Sequence, residues 1–168
     1  MNKYLLIWAL TISSAGITMA QEHDSTTAKY YNVVYLPKCF KEKGVIFNKE
    51  YVVGIEMKNV QKRYTPSLED IQKAEETLVK EYNRLQKTNV SARDYFWRYV
   101  RQYVGVVANN GNKNIIVQLI NNKNPGKINR LLGKNWENDF VIMLADSFYA
   151  VSTRFRIDID TGTMTDEL

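Results

Sequence analysis

A change in the period of the apolar residues limits what this chain can fold into. Between residues 67 and 86 the apolar side chains recur at every third or fourth position, which predicts one amphipathic helix with a single buried stripe. Ser67 and Asp70 have the spacing of a capping box, and Pro66 suits the first turn. From Tyr95 onward the period is two, which is typical of strands with one buried and one wet face.

Four β-prone runs follow the helix and are expected to pair as two antiparallel hairpins. Between the first two lies Asn109–Asn112, which contains the Asn-Gly pair that tight hairpin turns favour. In the last run Ser152, Arg154, Arg156 and Asp158 share one face, which is predicted to face water. The runs are Tyr95–Ala108, Ile115–Ile120, Phe140–Ala145 and Phe148–Ile159.

The remaining segments are assigned by composition. Lys29–Leu36 and Glu50–Met57 are also β-prone, whereas the Asn-, Lys- and Gly-rich residues 121–138 predict a loop. Asp158–Gly162 superficially resembles a calcium loop, but the ligand spacing fails and a strand ending in a turn is expected.

These elements predict an α+β fold in which one amphipathic helix packs on a curved, four- to five-stranded antiparallel sheet. We expect it to be one domain, residues 29–168. The order of elements resembles the cystatin-like superfamily, a helix held by a curved antiparallel sheet. Two short matches support the resemblance: Glu81–Asn83 late in the helix, and Gln102–Gly105 on the next strand, where cystatins carry Gln-x-Val-x-Gly.

The inhibitory elements of cystatins are displaced or missing. Val106 occupies the place of the last motif glycine, no Pro-Trp pair is present, and residues 21–43 contain no glycine. The resemblance therefore implies a cystatin-like roll without the protease-inhibiting site, since function belongs to sites rather than folds. Related rolls of the NTF2-like type sometimes hold a ligand or an acid–base pair in their cone.

Residues 1–20 have the pattern of a secretory signal peptide. Lys3 precedes the apolar run Tyr4–Ile12, and small residues lead to an expected cleavage after Ala20, followed by a polar leader, residues 21–28. The apolar run is too short to span a bilayer, so we expect an exported protein, periplasmic or secreted, without a membrane span. Retention in the endoplasmic reticulum through Thr165–Leu168 is not expected, because the usual Lys is missing.

The only cysteine, Cys39, lies well past the cleavage region, so the chain is not expected to be a lipoprotein. One cysteine cannot form an intrachain disulfide. Two interpretations stay open: a small, half-buried hydrophobic side chain, or an intermolecular disulfide.

The sequence offers little for catalysis, and we predict neither enzyme activity, nor a cofactor, nor a metal site. The only histidine, His23, lies in the leader, and one His with one Cys cannot supply the ligands of a zinc site. No phosphate-binding glycine loop or convergent carboxylate pair is evident. The mature chain carries a formal charge of +4 with both signs interspersed, which argues against nucleic-acid binding.

The predicted function is therefore non-catalytic binding, with a protein partner contacted through the wet sheet face and the hairpin tip, as an inhibitor or immunity-type protein would do. Tyr and Arg are enriched at protein interfaces. Two alternatives remain: a small-molecule-binding or enzymatic NTF2-like cone, and an envelope structural component. A monomer or weak dimer is expected. The candidate contact residues are Arg98, Arg101, Tyr103, Asn109, Asn110, Arg154 and Arg156.

Overall fold

Seven strands and two helices make up the part of the chain that the computed structural model describes, residues 31–35, 43–86, 99–134, 138–141 and 152–166. The strands are β1 (Tyr31–Tyr35), β2 (Lys43–Phe47), β3 (Val60–Tyr64), β4 (Tyr99–Ala108), β5 (Lys113–Asn121), β6 (Ser152–Asp158) and β7 (Thr163–Asp166). The helices are α1 (Leu68–Gln86) and α2 (Pro125–Leu132).

The strands form one mixed sheet in which β4 is central. The order is β1-β2-β4-β5-β6-β7, and β3 pairs with β4 as well. β2 runs parallel to the first half of β4, whereas β3 runs antiparallel to its second half. The other pairs are antiparallel. The α+β class is confirmed, but the expectation of a wholly antiparallel sheet of four to five strands is wrong, because the sheet has seven strands and β2 runs parallel to β4.

The chain leaves β3 by passing very close to Gly105 of β4. Tyr64 pairs with Gly105 in the register of the two strands. A Cβ atom added to Gly105 would lie 2.5 Å from the Tyr64 carbonyl oxygen and 2.9 Å from Pro66 Cγ. Glycine is therefore required here for close approach of the backbone. This crossing places the start of α1 against the middle of the sheet.

Helix α1 begins with the predicted capping box. The Ser67 backbone N–H donates to Asp70 Oδ2 at 3.0 Å, and the Asp70 N–H donates to Ser67 Oγ at 3.1 Å. Its buried stripe packs on one face of the sheet, here called the inner face. The fully buried members of this inner core include Ile71, Ala74, Leu78, Tyr103, Ile115, Val117, Leu119 and Ile157.

The opposite, outer face of the sheet is covered as well. Phe140 packs there with Phe47 and Val104, and Ile128 of α2 packs with Val100. The prediction of a wet face is therefore wrong across β4 and β5. The reason is visible in β5, where apolar residues occupy both odd and even positions, as in strands buried on both faces.

Helix α2 lies inside the segment predicted to be a loop, so that prediction is wrong for Pro125–Leu132. Asn124 Oδ1 accepts a hydrogen bond from the Lys127 N–H at 3.0 Å, Pro125 opens the helix and Gly133 follows its last residue. These are the ordinary signals of a short helix. Ile128 anchors it, since its side chain is 1% exposed.

The other strand predictions have mixed outcomes. β1 lies within the predicted run Lys29–Leu36, and β6 within the run that ends at Ile159. Glu50–Met57 forms no strand, and Phe140 and Val141 belong to none. The short strands β2, β3 and β7 were not predicted. The predicted signal peptide, the predicted polar leader and the rest of the predicted second hairpin, residues 142–151, lie outside the described residues.

We predict that Gly105→Ala destabilises the protein by about 1–3 kcal/mol, because its methyl group overpacks the crossing. The measurement is urea unfolding followed by circular dichroism. Gly126→Ala is the matched control: its Cβ would lie 3.7 Å from the nearest atom, and alanine favours the helix. Equal unfolding midpoints for the two variants would contradict the close-approach argument.

Candidate functional site

The β4–β5 hairpin ends in a three-residue loop, Asn109–Gly111. The Ala108 N–H donates to the Asn112 carbonyl at 2.9 Å, and the Gly111 N–H donates to the Ala108 carbonyl at 2.9 Å. Gly111 has a φ of 89°, which suits the glycine that closes such loops. The predicted hairpin tip is confirmed, and the side chains of Asn109 and Asn110 are exposed on it.

A cleft of about 720 Å³ lies beside this tip. It is lined by the loop before β3, the hairpin tip, the start of β5, and strands β6 and β7. Asn109, Asn110 and Arg156, three of the candidate contact residues, all line it. The Asn109 N–H donates to the Asn59 carbonyl at 3.2 Å, so the tip is bonded to the loop before β3.

Arg156 holds the cleft together. Its Nε donates to Asn114 Oδ1 at 3.0 Å, Nη1 donates to the Lys58 carbonyl at 2.7 Å, and Nη2 reaches the Asn59 carbonyl at 3.3 Å. These bonds join β5, β6 and the loop before β3. Arg156 therefore shapes the cleft, and its predicted role as an open anchor on a wet face is corrected by these contacts.

Asp158 lines the cleft at the end of β6 and organises the turn that follows it. Its Oδ2 accepts from Asn112 Nδ2 at 2.8 Å, and its Oδ1 accepts from the N–H groups of Asp160 and Thr161 at 3.0 and 2.9 Å. Burial alone would raise the pKa of this carboxyl, but the hydrogen bonds outweigh it and hold the pKa below its ordinary value. These bonds form the predicted turn between β6 and β7.

The cleft is lined by polar chemistry of both signs. Glu56 and Asp166 supply exposed carboxylates, Lys58 supplies an exposed amine, and Thr165 an exposed hydroxyl. Together with the asparagine amides, these groups offer donors and acceptors rather than an apolar pocket. Such a lining suits the polar part of a protein interface, where hydrogen bonds are frequent.

Arg154 lies on the outer face, under a segment of its own chain. Its guanidinium donates to Gln118 Oε1 at 2.9 and 3.1 Å and to the Val141 carbonyl at 3.3 Å. It also lies 5.3 Å from the centre of the Phe140 ring. The prediction that Arg154 stands on a wet face is therefore corrected: the segment around Phe140 covers it.

The same segment is held by two buried glutamines. Gln102 Nε2 donates to the Asp139 carbonyl at 2.8 Å, and Gln102 Oε1 accepts from the Val141 N–H at 3.0 Å. Gln118 Nε2 donates to the Val141 carbonyl at 3.0 Å. Gln102, Gln118 and Arg154 are direct neighbours in the register of β4, β5 and β6. The buried amide groups of Gln102 and Gln118 thus find hydrogen-bond partners in the backbone of Asp139 and Val141. These bonds hold that segment over the outer face of the sheet.

Arg101 and Tyr103 lie on the inner face, and both side chains are 0% exposed. Arg101 Nε pairs with Glu75 Oε1 at 3.2 Å, and Tyr103 Oη donates to the same oxygen at 2.8 Å. Arg101 also donates to the Tyr99 carbonyl. Their predicted placement on a partner-binding surface is therefore wrong, because α1 covers them.

Sequence reasoning missed Glu75, a fully buried carboxylate of α1. Its spacing is the missed signal: Glu75 follows Ile71 by four positions and precedes Leu78 by three, so it lies in the buried stripe. Of the remaining candidate residues, Arg98 and Cys39 lie outside the described residues.

Comparison of the chain with protein-family models, with curated proteins and with solved structures gives no match. In the described ranges, no helix is long and apolar enough to cross a membrane. No group of three His, Cys, Asp or Glu side chains suited to a metal ion occurs in this same part of the chain.

We predict that Glu75→Gln destabilises the protein by about 3 kcal/mol, because it leaves the Arg101 charge buried without its counter-ion. Unfolding in urea measures the loss. Glu76→Gln is the neighbouring control: Glu76 is exposed, and a change within about 0.5 kcal/mol is expected. The triple variant Glu75→Leu/Arg101→Met/Tyr103→Phe, which also removes the hydroxyl that donates to Glu75, should recover most of the stability, and equal effects at positions 75 and 76 would refute the pair's role.

We also predict an acid-dependent loss of stability that depends on Asp158. Because the folded pKa is lowered, its contribution is fully present above the ordinary aspartate pKa of about 3.9 and is lost as the pH falls through the folded value. Melting temperatures measured across this range should fall more steeply for the wild type than for Asp158→Asn. Parallel profiles would show that the carboxylate's hydrogen bonds contribute nothing.

Proposed function

We propose that this protein is an exported, non-catalytic binding protein that engages a protein partner through the cleft beside the β4–β5 hairpin tip. One observation carries the proposal: candidate contact residues from different parts of the sequence meet at one cleft. Arg156 is far in the sequence from the adjacent residues Asn109 and Asn110, yet all three line one cleft. Partner recognition by exposed loops on a rigid scaffold is a common arrangement.

The geometry favours a preformed site. Arg156 and the Asn109 backbone bond the loop before β3 to β6 and to the hairpin tip. Groups held in place before binding lose less conformational freedom when a partner docks. The exposed amides at the tip then supply adaptable hydrogen bonds, while Glu56 and Asp166 supply charge.

We also propose the protein's location, its architecture and the type of binding role it has. The leader pattern of residues 1–20 supports export to a periplasm or to the medium. Helix α1, packed on one face of a sheet with a long β4–β5 hairpin, supports a cystatin-like roll as the nearest architecture. An inhibitor or immunity-type role fits a protein that works by presenting a hairpin tip, as a monomer or weak dimer.

One observation favours a second candidate, the NTF2-like cone. A tyrosine and a carboxylate, Tyr103 and Glu75, form a fully buried hydrogen-bonded pair between helix and sheet. A ligand-binding or catalytic cone would use such a pair. Arg101 shares the Glu75 carboxylate, however, and this contact also explains the pair as a structural ion pair. The cleft is therefore the better-supported site.

The test compares two charge-reversal variants of the mature chain in a pull-down from its own cell envelope and medium. Glu56→Lys/Asp166→Lys alters exposed side chains in the cleft, and Glu69→Lys/Glu76→Lys makes the same charge change on exposed positions of α1. We expect one stoichiometric protein to be captured by the wild type and the α1 variant, and lost from the cleft variant. A loss of at least about 1.4 kcal/mol, or tenfold in affinity, is expected with the isolated partner.

Circular dichroism should be the same for both variants, and their melting temperatures should differ by only a few degrees, since all four positions are exposed and the Glu69–Lys73 pair lost in the α1 variant is a surface ion pair. Capture that is equal for the two variants would place the binding surface elsewhere. Absence of any protein partner, with a small molecule co-purifying instead, would favour the cone.

A further inference from the structure

The chain contains one Asn-Gly pair, Asn110-Gly111, and the fold presents it at the tip of the β4–β5 hairpin. Asn110 is exposed. Gly111 has no side chain to shield its backbone nitrogen, and a Cβ built on it would find no atom within 4 Å. The Gly111 Cα is therefore open on the side where a Cβ would stand.

The Asn110 side chain is folded back over this peptide bond. Its Oδ1 accepts a hydrogen bond from the Asn112 N–H at 3.1 Å, two residues along the chain. This contact withdraws electron density from the side-chain carbonyl, which makes Cγ a better target for a nucleophile. It also holds the carboxamide above the main chain of the turn rather than extended into solvent.

We propose that Asn110 is a site of spontaneous deamidation in the folded protein. The Gly111 nitrogen gives its proton to a base in the solvent and forms a bond with Asn110 Cγ. The bond from Cγ to Nδ2 breaks, Nδ2 takes up a proton, and ammonia leaves a five-membered succinimide. Water then adds to either ring carbonyl and opens the ring to aspartate or isoaspartate. One water is consumed and one ammonia released, with no change of oxidation state.

The turn sets the rate of this reaction. The Gly111 N–H donates to the Ala108 carbonyl at 2.9 Å, so this bond must open before the nitrogen can react. Opening at an exposed hairpin tip has a small free-energy cost compared with global unfolding. Deamidation is therefore expected from the native state.

The neighbouring residues Asn109 and Asn112 are poorer sites for deamidation. Asn109 is followed by Asn110, and Asn112 by Lys113, so a side chain shields each attacking nitrogen. Asn112 is also restrained because its Nδ2 donates to Asp158 Oδ2 at 2.8 Å. Selectivity for Asn110 within one turn follows from these differences.

Aspartate or isoaspartate at position 110 would alter the cleft. The expected effect on partner binding rests on the proposed function, whereas the deamidation itself does not. Asn110 lines the cleft, so either product adds a negative charge there. Isoaspartate also routes the main chain through Cβ, which lengthens the turn and displaces the Gly111–Ala108 hydrogen bond. Partner binding should then fall as the modified form accumulates.

The test ages the full folded protein in a mildly alkaline buffer and follows one tryptic peptide. Trypsin cleaves after Arg101 and Lys113, so a single peptide reports Asn109, Asn110 and Asn112 together. Tandem mass spectrometry locates the mass change from amide to carboxylate, and an isoaspartyl methyltransferase assay detects the isomer. We expect conversion at Asn110 to exceed that at the other two by at least an order of magnitude.

Two variants serve as controls. Asn110→Ser removes the reacting amide and should abolish conversion. Gly111→Asn keeps a residue that tolerates positive φ and adds a shielding side chain, so conversion should slow by about an order of magnitude while the fold is retained. Equal conversion at Asn109 and Asn110 would overturn the proposal, as would conversion in the isolated peptide 102–113 but not in the folded protein. Conversion without loss of partner binding would leave the modification standing and count against the proposed function.

Discussion

The burial of β4 on both faces is the constraint on which the rest of this structure depends. A strand covered on one side by α1 and on the other by loops must satisfy every polar group it carries, because an unpaired buried polar group is costly. β4 carries two such side chains next to each other, and they point in opposite directions. Arg101 meets Glu75 on the inner face, and Gln102 meets the backbone of residues 139–141 on the outer face. These two contacts fix where each cover lies.

The same strand is crossed at its midpoint, which explains the unusual sharing of its edge. β2 ends beside Val104, and the loop after it returns to the sheet beside Ala108, where β3 begins and runs back to Gly105. Arg63 closes this loop, since its guanidinium donates to the carbonyls of Asn48, Tyr51 and Gly105. The far end of the loop, before β3, lines the cleft. The position of the candidate site thus follows from the return of this loop beside the hairpin tip.

What the sequence predicted correctly were features that local signals determine. The capping box of α1 and the Asn-Gly hairpin tip depend on residues a few positions apart. The cover on the outer face depends on distant residues, and period-two patterning reports which positions share a face without reporting what lies above it. Ile115 and its neighbour Ile116 are both fully buried, and Val106 is fully buried on the outer face. Apolar residues on both faces of a strand were the available warning that both faces are covered. The α2 helix was also detectable, because Asn124, Pro125 and Gly133 carry ordinary cap signals.

The arginines show why the candidate site could be predicted only in part. Arginine beside aromatic residues is typical of interfaces, but the same donors serve equally well to hold a protein's own loops. Arg154 and Arg156 each bind backbone carbonyls of segments distant in the sequence, which is the chemistry a partner's backbone would also offer. A sequence pattern cannot distinguish these two acceptors, since both are carbonyl oxygens at the surface of a sheet. If the proposed function holds, the arginines are already committed to the fold, and recognition would fall to the exposed carboxylates and amides at the rim of the cleft. Because Asn110 Oδ1 also accepts a hydrogen bond within the turn, such recognition would depend on the shape of the hairpin tip.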